Sequence, residues 1–441
     1  MPLSHAIAET QPSGGLTDRV SERLDARLQS HVDHPIAVAL SGGGDSMVLL
    51  DIAADWARRR GRRLLALTVD HRLNPDSKTW VDFARDAAFS AGADWRGLDW
   101  TGEKPVTGLP AAARAARHAL IADAARAAGA RVMLFAHTAD DVEEGDWMRE
   151  QGSTLGALRS WSPSPVWPQG RGLMLMRPLL GERRAALRAH LRSRGLDWID
   201  DPANDDHRFA RPRARAALAE ISGHPSTALS SEHLARGSEC HECAASPEGL
   251  ITAPRTLDAS ALAAAMVCAG GGDVLPRGDR LARLIARLDA DEDFTAVLSG
   301  ARLTASGPTV AIMREAGEYG RRSVGPLNLT PGEPAVWDGR FEIEVEVPGW
   351  SVLPAAGRMA QLSKPDRAWL ANFPAALRAT LPVLFRDDRA APVLAWRAAR
   401  VRCLVGERLD LALDQTTHEN DLRPEDHGAK PSNPLFLTIQ P

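Results

Sequence analysis

The chain has 441 residues, enough for two or three domains with cores of their own, and its charge is nearly balanced, with 53 Lys+Arg against 57 Asp+Glu. That balance excludes a globally basic nucleic-acid binder, so any RNA-binding surface must be a local patch. Four cysteines argue against a disulfide framework and fit a reducing cytoplasm, and neither a signal-like start nor a membrane-length apolar run is seen.

Residues 1–15 are polar and Pro/Gly-bearing, and Leu16 to Leu28 then predicts a short amphipathic helix through Leu16, Val20, Leu24 and Leu28. Ile36 to Leu40 reads as a buried strand. It runs into Ser41-Gly42-Gly43-Gly44-Asp45-Ser46, after which Leu49, Ile52, Ala53 and Trp56 recur at helical spacing. A strand, a glycine turn and a helix start form a phosphate seat: glycine lets backbone N–H groups approach the oxygens, and the helix end adds unpaired donors. No lysine follows, as a Walker loop requires, and Met47 stands where the dinucleotide fingerprint needs its third glycine. Asp45 is a candidate for Mg²⁺, for a proton, or for a simple helix cap.

Leu64 to Val69 predicts a second strand ending in Asp70-His71, followed by a helix over Thr79 to Ala91 and a weaker strand around Trp95 to Trp100. Ala111 to Ala128 is a long Ala/Arg helix, and Arg131 to Ala136 another strand. This βαβα order predicts a parallel, doubly wound α/β sheet with its ligand at the carboxyl ends of the strands. Ser41–Ser46, Asp70–His71 and His137–Glu144 all fall at such ends. Residues 177–221 read as helices with a turn at Asp200 to Asn204, and the stretch from Gly223 to about Pro254 as a linker rich in Ser, Gly, Pro and His. A smaller α+β region follows, with an amphipathic helix through Leu281, Leu284, Ile285 and Leu288. It also has a strand alternating Phe341, Ile343, Val345 and Val347 with glutamates. The tail after about Glu419 is polar and expected to be loose.

Asp141 and Glu144 lie three apart, so on a helix their carboxylates share a face and suit a cationic ligand; a solvated acidic helix start is the plain alternative. Arg114 and Arg117 also share a helix face, fit for a phosphate or for nothing more than solvent. The most basic stretch runs from Arg183, Arg184, Arg188, Arg192 and Arg194 to Arg208, Arg211, Arg213 and Arg215. Cys240-His-Glu-Cys243 has metal-like spacing but no second pair nearby, so plain cysteines are the default and no metal site is assigned.

The Ser41–Ser46 loop resembles the Ser-Gly-Gly-x-Asp-Ser loop of the PP-loop ATP pyrophosphatases. Phe135-Ala-His-Thr-Ala-Asp-Asp-Val-Glu-Glu144 resembles the His-His-x-Asp-Asp-x-x-Glu signature of tRNA(Ile)-lysidine synthases. The likeness extends through Leu109 to His118, Met176 to Leu180, Gly195 to Asn204 and Arg208 to Arg215. It implies ATP with Mg²⁺, free L-lysine, and a tRNA(Ile) carrying the CAU anticodon, whose wobble cytidine is adenylated and then joined to lysine. It further implies catalytic roles for Asp45, Arg114 and Arg117, and ATP contacts from Ser41, Gly42, Gly43, Gly44, Asp45, Ser46, Asp70, His71 and His137. Lysine would meet Asp141 and Glu144; tRNA would meet Arg208, Arg211, Arg213 and Arg215. The chain would divide into an N-terminal extension (1–30), a catalytic PP-loop domain (31–222), a linker (223–256) and a tRNA-positioning region (257–441). A homodimer is compatible with all of this, and the setting expected is the cytoplasm, without a membrane. Thr138, Ala139, Gly145, His118 and Pro212 depart from the family pattern, which puts in question the contacts made by the second His and the Asn of that pattern. The rivals are a PP-loop thiolase, disfavoured because no cysteine precedes residue 240, a PP-loop amidotransferase, disfavoured because no nucleophilic Cys follows Met1, and an inactive tRNA-binding module.

Overall fold

The computed structural model describes residues 14–153, 158, 161–163, 166–200, 210–221, 243–321, 325–386 and 391–422. They form two compact units: the first comprises those within 14–163, 173–221 and 417–422, the second those within 166–172 and 243–416.

The first unit is built on a six-stranded sheet. Its strands are β1 (Ile36–Ala39), β2 (Leu64–Asp70), β3 (Asp94–Asp99), β4 (Val132–Leu134), β5 (Trp161–Pro163) and β6 (Met174–Met176). They lie in the order β3-β2-β1-β4-β6-β5, all parallel except β5. Ile36, Ala37, Val38, Val132, Met133 and Leu134 are at most 1% exposed. Helices cover both faces, so the central strands read as continuous apolar runs rather than alternating ones. β3 is the exposed edge, which accounts for its polar sequence. The strand order reverses at β1, between β2 and β4, and a crevice opens at the carboxyl ends there.

Seven helices complete this unit among the described residues: α1 (Leu16–Asp25), α2 (Gly44–Arg59), α3 (Ser77–Ser90), α4 (Leu109–Ala127), α5 (Ala139–Glu150), α6 (Arg184–Arg194) and α7 (Ala210–Ile221). α1 ties down the loop before α6: Arg19 and Arg23 both reach Glu182, at 2.6 and 2.8 Å. No described helix is long and apolar enough to cross a membrane.

Two stretches differ from expectation. Of the expected linker, residues 223–242 lie outside the described residues, but Ala244–Ala245 and Ile251–Pro254 are strands. Ile251 and Ala253 alternate into the core there, a run too short to stand out beside its polar neighbours. The tail expected to loosen at Glu419 is ordered through Leu422: Glu419 is fully buried against Arg62 of the first unit, a partner 357 residues away that no local pattern announces.

In the second unit, a five-stranded antiparallel sheet joins those two strands to Thr309–Arg314, Ala301–Ser306 and Phe294–Leu298. The apolar helix Ala259–Gly270 packs on it, and Asp279–Asp289 presents Leu281, Leu284 and Leu288 to the same core. Two smaller antiparallel sheets enclose a second core around Trp337, Phe341, Trp350 and Val352. The strand predicted from Phe341 is Phe341–Glu344.

Candidate active site

A cavity of about 870 Å³ lies at the carboxyl ends of β1, β2 and β4. On its floor the glycine loop is shaped by its own serines. Ser46 Oγ donates to the Gly43 carbonyl at 2.8 Å and lies 3.2 Å from Ser41 Oγ, while the Gly43 N–H reaches Ser41 Oγ at 3.4 Å. Gly42 has φ +81°, a conformation that favours glycine, and a Cβ there would stand 2.6 Å from Ile199 Cδ1, so that side chain would also have to shift. The Ile199 N–H donates to the Gly42 carbonyl at 2.9 Å and staples the loop in place. α2 starts immediately afterwards with no side-chain cap, so its free N–H groups and dipole face the cavity floor.

Asp45 stands in the first turn of α2. One carboxylate oxygen meets Arg184 Nε at 3.3 Å; the other is buried without a partner. Burial pushes its carboxyl pKa up; the neighbouring Asp141 adds to the rise, and Arg184 and Arg188 oppose it. At the end of β2, Asp70 accepts from the Arg72 N–H at 2.7 Å, and His71 stands edge-on to Trp100 at 6.0 Å. Its Nδ1 is buried and unpartnered, and burial, then Arg117, hold its pKa below the usual 6.5.

α4 supplies Arg114 and Arg117. Neither bonds to a carboxylate among the described residues, and Arg117 Nε is buried with no partner at all. Burial, with Arg114 and Arg211 nearby, pulls the Arg117 pKa down to about 10. Two desolvated cations with no carboxylate bond among the described residues make a place for an anion. Behind them His118, at the place of the family's Tyr, stacks flat on Phe135 at 5.0 Å, and Phe135 stacks in turn near His137 at 5.9 Å. Burial and three arginines push His118 down to about 3, so the ring is neutral.

After β4, Thr138 caps α5. Its backbone N–H and hydroxyl both donate to Asp141 Oδ2, at 2.8 and 3.0 Å, and its Oγ1 accepts from the Asp141 N–H at 3.3 Å. The departure from the family's second histidine thus keeps a polar group that orients Asp141. The face shared by Asp141 and Glu144 forms as its spacing implies, but it is not solvated: the two are 6% and 2% exposed. Asp141 Oδ1 meets Arg211 at 3.2 Å and Arg184 at 3.5 Å. Glu144 Oε1 meets Arg215 at 2.6 Å and Arg184 at 3.2 Å, while Glu144 Oε2 is buried without a partner.

The cavity therefore gathers Ser41, Gly43, Gly44, Asp45, Ser46, Asp70, His71, Arg114, Arg117, His137, Asp141, Arg211 and Arg215 on its walls, with Glu144 joined to them through Arg184. Gly42 shapes the loop from behind. Arg211 and Arg215, read from sequence as part of one RNA-facing run, turn toward the acids. Arg213 lies on the exposed side of α7, and Arg208 falls outside the described residues. Pro212, at the place of the family's Asn, is buried in α7. Cys243 is buried in the core of the second unit; Cys240 lies outside the described residues.

Sequence reasoning missed the particular roles of Arg184 and Arg177. Arg184 reaches Asp45, Asp141 and Glu144 at once, and its backbone N–H is capped by Asp140 at 2.8 Å. Arg177 follows β6 and donates to His137. The available signal was their position, directly after or near the end of a buried strand, as with the other site clusters. Six arginines against four aspartates line the cavity, so its balance favours an anion despite the acid pair.

A family profile described as the PP-loop domain matches residues 16–221. A tRNA(Ile)-lysidine synthase of Caulobacter vibrioides is 46% identical over 91% of this chain and 99% of its own length. One of Hyphomonas neptunium is 36% identical over 65% of this chain and 83% of its own. Among solved structures, a U34-tRNA thiolase from Methanococcus maripaludis aligns over 46% of this chain and 70% of its own at 16% identity, with a TM-score of 0.39, too distant a likeness to argue from. The loop, the helices that flank it and the identity to the Caulobacter protein along nearly that protein's whole length agree: this chain belongs to the tRNA(Ile)-lysidine synthase family.

Proposed function

We propose that the protein joins lysine to C2 of the wobble cytidine of a tRNA(Ile) with the CAU anticodon, at the expense of ATP. In the first step the cytidine O2 attacks the α-phosphorus of ATP. An O–P bond forms, the bond to the β-phosphate bridge breaks, and pyrophosphate leaves. In the second, the lysine side-chain amine attacks C2; the C2–O bond breaks, AMP departs with that oxygen, and the nitrogen loses its proton. The enzyme is then a ligase forming a carbon–nitrogen bond, and its reaction belongs to the cytoplasm, where tRNA, ATP and free lysine occur.

The observation that carries this reading is one cavity with two opposed chemistries. The serine-braced loop and the start of α2 suit the leaving pyrophosphate, and the desolvated Arg114 and Arg117 suit charge building on the α-phosphate. On the other wall Asp141, with Glu144 joined behind it through Arg184, suits an ammonium group. The buried, unpartnered Oδ1 of Asp45 fits Mg²⁺, which takes one or two carboxylates beside substrate phosphates; the ion would neutralise pyrophosphate charge. Bound tRNA is assigned to Arg208 and Arg213, since Arg211 and Arg215 are engaged by Asp141 and Glu144, with residues 257–441 positioning it. A thiolase would need a cysteine at the chemistry, and none lines the cavity among the described residues.

The deciding experiment supplies purified protein with tRNA(Ile) CAU transcript, ATP and radiolabelled lysine. Lysine should enter the tRNA; no incorporation under conditions where the tRNA binds refutes the reading. Asp45→Ala should abolish turnover while leaving the fold, and full activity in that variant would show that the loop is misassigned.

A further inference from the structure

Arg177 follows β6 and is 6% exposed, and its Nε lies 3.2 Å from His137 Nδ1. A guanidinium carries only donor hydrogens, so the ring nitrogen it meets has to be the acceptor. The single proton of the neutral ring then resides on Nε2. An imidazolium, protonated on both nitrogens, would have no lone pair to offer Arg177. The surroundings act in the same direction. Burial first, then Arg177, Arg114, Arg211 and Arg117, hold the His137 pKa well below 6.5. Asp141, on the same cavity wall, is held by Thr138, Arg211 and Arg184. Phe135 stacks near-parallel to the ring, at 15°, and opposes its reorientation.

We propose that Arg177 is a positioning residue that fixes His137 as a neutral Nε2–H donor on the cavity wall. His137 then gives a hydrogen bond to a phosphate or carbonyl oxygen of the ligand, and it does not take the proton of the attacking amine. Naming that amine rests on the lysidine-synthase reading; the tautomer does not. The inference removes the most obvious base from the site and leaves proton removal to the carboxylates or to water.

The test is long-range proton–nitrogen NMR of histidine-¹⁵N-labelled protein without ligands, with the His137 signal assigned by its loss in His137→Gln. The expected spectrum shows a protonated Nε2 and a bare Nδ1, unchanged from about pH 6 to about pH 8, the range in which an ordinary histidine titrates. Arg177→Lys keeps a donor-only partner and should keep the single tautomer; Arg177→Met should yield a mixture. In lysine incorporation, His137→Gln retains a donor near the Nε2 position and should lose about 10-fold, whereas His137→Phe should lose about 100-fold, the scale for removing one transition-state donor. A proton on Nδ1, or a ring titrating in that range, overturns the proposal, as does a Gln variant no better than Phe. Wild-type protein with the expected tautomer but no lysine incorporation would refute the functional reading alone.

Discussion

Replacing Glu419 by alanine should unfold the first unit far more readily than its place near the end of the chain suggests. Its carboxylate is fully buried and accepts from Arg62 Nη1 and Nη2 at 2.9 and 3.0 Å, from the Gln29 N–H at 2.9 Å, and from His34 Nε2 at 2.9 Å. The Arg62 side chain is equally buried. Alanine leaves that guanidinium as an uncompensated charge in the interior, at a cost of about 3–5 kcal/mol. For a unit of this size each kcal/mol moves the midpoint by about 2–4 °C, so the melting temperature should fall by about 6–20 °C. The double variant Arg62→Met with Glu419→Leu removes both charges and should recover most of the loss, because the penalty lies in the orphaned charge rather than in the missing pair.

Acid melts give a second measurement of the same pair. Burial raises the Glu419 carboxyl, but the Arg62 hydrogen bonds, the Gln29 N–H, and the Arg62 and His34 charges outweigh it and hold it below 4.5. A depressed carboxyl stabilises the fold above its unfolded value, and that stabilisation is lost as pH falls through the folded value. His34, lowered by burial despite Glu419, also takes up its proton more readily when unfolded, so it too favours the folded state less as pH drops below 6.5. Wild-type stability should therefore decline below about pH 6.5 and more steeply below about pH 4.5, with the low-pH limb flattened in Glu419→Ala. A Glu419→Ala midpoint within about 2 °C of wild type, less than a 1 kcal/mol loss, refutes the argument. So does a double variant as unstable as the two single losses added.

Two further outcomes follow from the cavity. Arg184→Met removes the cation that opposes the upward push of burial and Asp141 on Asp45, so the Asp45 pKa should rise further. The acid limb of lysine incorporation should then move to higher pH while the KM for lysine increases; an unmoved limb would mean that Asp45 is not the group that must ionise. Gly42→Ala forces an L-residue to φ +81° with its Cβ against Ile199, costing about 1–2 kcal/mol. It should raise the KM for ATP, and a lower melting temperature with an unchanged KM would separate the loop from the phosphates.

What was legible in the chain follows from where the physics is local. β1, β2 and β4 are buried on both faces, so their apolar runs announce them, and the glycine turn carries its own steric signature at Gly42. β6 has three residues, and β5 another three; segments that short are fixed by sheet neighbours rather than by a pattern of their own. The helix Ala259–Gly270 is buried from Ala261 onward on every side, so it has no polar face to set a period against. At the site, the spacing of Asp141 and Glu144 places them on one face, but spacing cannot say that Arg184, Arg211 and Arg215 would converge there from α6 and α7. Nor does a run of arginines reveal which members meet the buried acids of the site.

The convergence has an identifiable cause. The loop before α6 is held from three directions: Arg19 and Arg23 of α1 grip Glu182, Arg183 forms a two-bond pair with Glu143 of α5, and Asp140 caps the Arg184 N–H. A side chain launched from so fixed a backbone loses little further entropy on pairing, so Arg184 acts as a placed charge rather than a solvated one. It neutralises one oxygen each of Asp45, Asp141 and Glu144 and leaves Asp45 Oδ1 and Glu144 Oε2 buried without donors. Buried carboxylate oxygens without partners cost free energy. That cost is relieved only when a cation or donor arrives, so the cluster is held rigid enough to keep its shape and left with two carboxylate oxygens lacking partners, which the proposed Mg²⁺ and lysine ammonium would supply.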